Sequence, residues 1–239
     1  MDWTDEGALL SMRLHGESAA IIEVFTKDHG RHAGVVRGGG SRKMAALLQP
    51  GGQVQVAWRA RLEDHLGVFT VEPIRSRAGV LGDRLALSGL NAVCAMLRVA
   101  LPERASYPAL WIATMGLLDA LEVEKDWPVR YLRWELHLLD QIGFGLDLAT
   151  CAVTGSRDDL AYVSPKTGRA VSRKGAGEWA SRLLPLPQGM LGQGPASGQE
   201  LAQGLALTQH FLNRELGQAL QGRALPEARA RLLDLLAKQ

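Results

Sequence analysis

The stretch 35–52, VVRGGGSRKMAALLQPGG, holds the residues whose types and spacing most suggest chemistry. Gly38, Gly39 and Gly40 lead into Ser41, Arg42 and Lys43, and an apolar run follows up to Pro50. Glycines beside lysine are the makings of a phosphate cradle, because a backbone without side chains can turn its N–H groups onto an anion. A nucleotide-hydrolysing loop needs G-x-x-x-x-G-K-[ST], with its lysine on the β/γ phosphates. Counted from Gly34 the second glycine is Gly39, but Gly40 occupies the lysine position. No strand–helix–strand pattern surrounds it either, so the stretch is not read as a nucleotide loop.

Its cations belong to a wider pattern. Between residues 27 and 61, Lys27, Arg31, Arg37, Arg42, Lys43, Arg59 and Arg61 stand against the single acid Asp28, in a chain of net charge only +2. A local excess of this kind is the electrostatic footprint of phosphate-backbone binding. A solvated, solubilising barrel face is the competing reading. His29 and His32 add hydrogen-bonding capacity. Trp58 and Phe69 could stack bases, but their alternation with polar neighbours assigns them to a core.

Other candidates for chemistry are weaker. Cys94 sits among Val93, Ala95 and Met96 and reads as a small buried hydrophobe. The six histidines show no paired metal spacing. His15-Gly16-Glu17-Ser18 lacks the G-x-S-x-G elbow and reads as a turn. Asp158 and Asp159 lack further oxygen ligands nearby and read as a solvated loop. No nucleophile, paired acid or metal set emerges, and no enzyme is expected. Two distant cysteines cannot form a disulfide scaffold, the first residues are acidic, and no run of about 18 apolar residues occurs. A reduced, soluble, cytoplasmic protein with no membrane association is expected.

The elements that must position these residues change character along the chain. Up to about residue 75 the apolar residues recur with a period of two, clearest at Val54, Val56 and Trp58. About five short strands result, divided by turn signals such as Lys27-Asp28-His29-Gly30 and Glu63-Asp64. Five antiparallel strands suit a small closed barrel, and OB-like and SH3-like barrels fit about equally. After residue 80 the period is helical. Helices are expected over 83–101, from a Ser106 cap to about 123, over 127–143, from the Ser197-to-Glu200 capping box to about 220, and from Pro226 through 236. The fold class is α+β multidomain: a barrel over 1–78, then a helical domain over 79–239, with an irregular insertion at about 145–195.

Particular words give this order a family likeness. HGESAAIIEVFT at 15–26, HGRHAGVVRGGGSR at 29–42, LLQPG at 47–51, QIGFGLDL at 141–148 and LAYVSPKTG at 160–168 resemble the RecO family of bacterial DNA repair and recombination mediators. The resemblance spans most of the chain and keeps the family's order. It implies an OB-fold at the N-terminus and a helical C-terminal domain. It implies a protein that binds single- and double-stranded DNA and anneals complementary strands. With RecR, it would help RecA replace single-strand-binding protein, whose acidic, aromatic-ended tail it would bind. On that reading the stretch at 38–43 is a mobile loop gripping a DNA backbone, tethered by the apolar run 44–48. An RNA-binding OB module and a protein adaptor remain the alternatives.

One departure is plain. Family members often carry four zinc-binding cysteines in the insertion, as C-x-x-C-G and a later C-x-x-C. Here the segment reads Cys151-Ala-Val-Thr154-Gly155, with Ser172 where the second pair should begin. One thiolate cannot hold Zn²⁺ in a tetrahedral sulfur site, so no zinc is expected and hydrogen bonds or packing should hold the segment. Lys166, Arg169, Arg173 and Lys174 in the insertion are read as a second DNA contact or a solvated loop. Arg130 and Arg133 are read as cationic rims for the acidic tail.

Overall fold

The computed structural model describes residues 1–62, 64–191, 197–217 and 220–238. It contains two compact units, Met1–Glu124 and Lys125–Gln239. Compactness therefore divides the chain well after residue 78, where the sequence period changes, because the first two long helices fold with the barrel.

The first unit opens with five strands: β1 (Asp2–His15), β2 (Ala19–Thr26), β3 (Gly30–Val36), β4 (Gln53–Arg59) and β5 (Val68–Arg75). They close in the order β1-β2-β3-β5-β4, with β1 pairing to both β2 and β4. The joint between β3 and β5 is thin and parallel: Val35 opposite Val68, and Val35 N–H donating to Gly67 O at 3.0 Å. Alternation decides which side chains enter. Along β4, Val54, Val56 and Trp58 are buried, whereas Ala57 and Arg59 face out. Leu9, Ile22, Val24, Val36 and Phe69 complete most of this core. Trp58 and Phe69 are each 2 % exposed and are core residues rather than stacking platforms.

A short helix, α1 (Arg42–Leu47), bridges β3 and β4. The expected open loop is thus a built corner. Gly39 and Gly40 N–H groups donate to Val36 O and Ser18 O at 3.2 and 3.0 Å, and Ser41 Oγ caps α1 by accepting from Met44 N–H. A Cβ on Gly39 would lie 2.7 Å from that of Ala20, so close approach requires glycine there. Leu48 enters the barrel core, with Met44 and Leu47 packed against it, so the apolar run tethers the corner.

A 3₁₀ turn at Ala78–Gly82 precedes α2 (Arg84–Ala100) and α3 (Pro108–Val123). Asp83 caps α2 by accepting from Leu85 and Ala86 N–H. Ser106 does not cap α3. Pro108 supplies a preset φ for the first turn, Tyr107 takes the cap position without a side-chain bond, and Ser106 Oγ donates to Lys27 O instead.

The second unit holds α4 (Trp127–Gln141), strands β6 (Leu160–Val163), β7 (Ala170–Ser172) and β8 (Leu184–Pro185), and a short α5 (Arg173–Ala176). Helices α6 (Gly198–Leu216) and α7 (Glu227–Leu236) follow. The insertion is more regular than expected: its strands form a sheet in the order β7-β6-β8. Runs of two to four residues are too short to reveal a period. Both bonds of the expected Ser197–Glu200 capping box are present. The turn signal at 63, the last part of the insertion at 192–195 and the expected helix extension across 218–219 lie outside the described residues.

Candidate nucleic-acid interface

The barrel sorts the seven expected cations. Lys27, Arg37, Arg42, Lys43, Arg59 and Arg61 are exposed, and among the described residues none of them forms an ion pair. Arg31 differs. Its Nη1 donates to Glu23 Oε2 at 2.9 Å and its Nε to Leu101 O at 2.9 Å, so the guanidinium is engaged within the unit. Glu23 also binds Arg98. Burial pushes the Glu23 carboxyl up, yet hydrogen bonds and charge from Arg98, with Arg31 and Ser11 adding, hold it below its ordinary value.

Strand register places two of the free cations on one surface. Val35 lies opposite Val68, and Val68 opposite Arg59, so these three project from the same side. Two residues beyond Val35, Arg37 returns to that outer side. Arg42 and Lys43 follow within one turn of the capped corner. Asp2, opposite Arg59 on β1, is the acid nearest in register.

At the other end of β2, Asp5 clamps the turn that carries Lys27. Its Oδ2 accepts from Asp28 N–H at 2.8 Å, His29 N–H at 3.2 Å and the His29 ring at 2.9 Å. Burial raises the Asp5 pKa, but the His29 ring and the amides of Asp28, Glu6 and His29 outweigh it and leave the carboxyl below the usual range. His29 stacks on Trp3 with ring centroids 4.1 Å apart, and Trp3 in turn stacks on Trp58 at 5.6 Å. Asp5 escaped the sequence reading because nothing local marks it; its partners lie 23 and 24 residues away.

In the second unit, Arg169 and Arg173 are paired to Asp147 and Asp159 at 3.2 and 3.1 Å. Lys166 and Lys174 are exposed, at opposite ends of the β6–β7 hairpin. Two of the four cations of the expected second contact are thus paired to acids within the unit. Arg130 and Arg133 are exposed on α4, and the crevice beside Arg133 encloses only ≈ 10 Å³, about one water.

A larger cavity, ≈ 220 Å³, lies in the first unit between α1, the edge of β4–β5 and α2. Leu47, Pro50, Val54, Val80, Leu81 and Leu90 give it an apolar lining, and Arg75 and Arg77 stand at its margin. Asp119 and Glu122 bind both arginines. Arg77 is buried, with Nε and Nη2 lacking a partner among the described residues. Sequence reasoning missed this cavity, since its walls come from three separated segments.

The family likeness can now be tested over the whole chain. The description of the recombination protein O N-terminal region matches residues 1–77, and that of its C-terminal region matches residues 81–224. This chain belongs to the RecO family. It is 67 % identical over 238 residues to the DNA repair protein RecO of Cereibacter sphaeroides, covering 100 % of this chain and 99 % of that one. The RecO of a Ruegeria species is 61 % identical over 240 residues, covering 100 % of both chains. That of a Jannaschia species is 55 % identical over 241 residues, covering 100 % of this chain and 98 % of that one. The OB-like barrel and helical C-terminal region expected of a RecO are both present.

The four-cysteine zinc site that the family resemblance implies for many members does not fit the residues here. The four ligand positions carry Cys151, Thr154, Ser172 and Gly175. Among the described residues no group of three His, Cys, Asp or Glu side chains could hold a metal. Instead Cys151 Sγ accepts from Ser172 N–H at 3.2 Å, Ser172 Oγ–H at 3.3 Å and Thr154 N–H at 3.4 Å. A Cβ on Gly175 would come within 2.9 Å of that sulfur, so the four positions still converge. Burial raises the Cys151 pKa, but the Ser172 and Thr154 donors prevail and bring it down to about 6. Cys94, buried among apolar neighbours, is pushed up to about 12.

Proposed function

We propose that this RecO family chain is a non-enzymatic mediator of DNA repair and recombination, working in the cytoplasm at the nucleoid. It binds single- and double-stranded DNA through phosphate contacts, and it anneals complementary strands by offsetting their mutual repulsion. The observation that carries this reading is the set of exposed barrel cations that form no ion pair among the described residues, Lys27, Arg37, Arg42, Lys43, Arg59 and Arg61. Arg31 drops out, because Glu23 and Leu101 hold it. With RecR, the protein helps RecA load on DNA coated by single-strand-binding protein.

The acidic, aromatic-ended tail of that coating protein needs an apolar pocket rimmed by cations. The ≈ 10 Å³ crevice beside Arg133 is too small for an aromatic ring, whereas the ≈ 220 Å³ cavity flanked by Arg75 and Arg77 has room. We assign the tail to that cavity in preference to Arg130 and Arg133, its carboxylates competing with Asp119 and Glu122 for the exposed Arg75.

The test is a binding and annealing assay with complementary oligonucleotides across a salt series, comparing the protein with its R37A/R42A/K43A variant. Loss of three phosphate contacts should flatten the slope of log K against log [salt] by about 2 on single strands. An unchanged slope would remove the barrel corner from the interface.

A further inference from the structure

We propose that Trp179 is a base-stacking platform through which the second unit holds single-stranded DNA; this rests on the DNA-binding reading above. Trp179 lies in the 3₁₀ segment Gly177–Arg182, directly after α5. It is 61 % exposed, whereas Trp58, Trp111, Trp127 and Trp134 are buried and Trp3 is partly so. A lone exposed indole is ordinary on a protein surface, and what sets this one apart is the cation held against it. The Arg182 guanidinium lies 4.8 Å from the ring centroid. One face lies under that cation, while the residue as a whole stays largely open to solvent.

The surroundings select the partner. Lys174 and Arg182 are exposed and form no ion pair among the described residues, and Glu178 is the acid adjacent in sequence. An aromatic face beside free cations suits a strand whose bases stack while its phosphates are neutralised. A guanidinium, an indole and a base would then lie in one column. Duplex DNA keeps its base faces stacked and cannot enter that column. The platform therefore confers a preference for single strands, which phosphate contacts alone do not.

The experiment compares the full-length protein with W179A, W179F and K174A, using a single-stranded oligonucleotide and a duplex of equal length over a salt series. W179A should weaken single-strand binding by about five- to hundredfold, with the salt slope unchanged, because stacking displaces no counterions. W179F should restore most of that loss, and duplex binding should change little. K174A should instead flatten the single-strand slope by about 0.7. Single-stranded DNA should also quench an iodide-accessible tryptophan signal that W179F lacks. Unchanged single-strand affinity in W179A, or equal losses on both DNAs, would overturn the platform and leave the DNA-binding reading standing. Failure of the unaltered protein to bind either DNA would instead overturn that underlying reading.

Discussion

Arg229 and Glu135 meet side-on inside the second unit. Nε donates to Oε1 at 2.6 Å and Nη2 to Oε2 at 2.9 Å, with the two side chains 2 % and 0 % exposed. Thr208 Oγ–H donates to the same carboxylate at 2.6 Å, and Gln209 and Leu205 O accept from the guanidinium at 3.1 and 3.0 Å. One pair thus joins α4, α6 and α7.

Removing either partner should leave a buried charge uncompensated. E135A or R229A should cost about 3–5 kcal/mol in denaturant unfolding. The double replacement E135L/R229M should recover most of that loss, because apolar residues of similar size need no counter-charge. A single variant of wild-type stability would contradict the geometry.

The pH dependence follows from three groups in the barrel. Burial holds His32 below its ordinary value of 6.5, assisted by charge from Arg104 and His29 against the hydrogen bond to His29 O. Its contribution is complete above pH 6.5 and is lost as pH falls toward the folded-state value. Asp5 and Glu23 are depressed below 3.8 and 4.5, so their contributions are complete above those values and vanish as pH falls through the folded ones. Stability measured by urea melts should therefore step down twice on acidification. H32N should abolish the first step, and D5A should reduce the second while costing about 1–3 kcal/mol at neutral pH.

The convergence around Cys151 predicts a switch of chemistry by substitution. The purified protein should carry no stoichiometric zinc by elemental analysis. T154C/S172C/G175C should bind one Zn²⁺ tetrahedrally and resist unfolding until a chelator is added. Zinc in the unaltered protein, or none in the triple variant, would refute this account.

The cavity flanked by Arg75 and Arg77 makes its own prediction. L81D places an acid on its apolar lip, where Leu81 is 66 % exposed, so folding should survive. Fluorescence anisotropy with an acidic peptide ending in phenylalanine should register at least tenfold weaker binding, since an apolar contact is replaced by like charge. R133A should leave the peptide's affinity unaltered. The opposite pattern would return the tail to α4.

How much of this was legible in the sequence depended on distance along the chain. Strand alternation in 53–59 and the Ser197–Glu200 box are local signals, and both appear as read. Helix α1 was missed because six residues after a glycine triplet are too few for a helical period. The polar run Thr4-Asp5-Glu6 carries no apolar alternation, yet it pairs with β4. Glu135 looked like any charge on an amphipathic helix, and its partner stands 94 residues later. The seven cations were found as a composition. Only the fold could separate Arg31 from the other six.

The segment after α2 has a consequence for how the protein behaves in company. β3 meets β5 at only one residue pair, which leaves much of its outer edge without a strand. Glu103 lies alongside Arg31 as a short parallel bridge, and Arg104 N–H donates to Arg31 O at 2.8 Å. Gly30, at φ +67°, lets this segment come so near that a Cβ there would lie 1.9 Å from Ala105 O. An uncovered edge of this kind recruits strands from neighbouring molecules. Residues 103–105 therefore guard the protein against self-aggregation, and damage to them should surface as precipitation at high concentration.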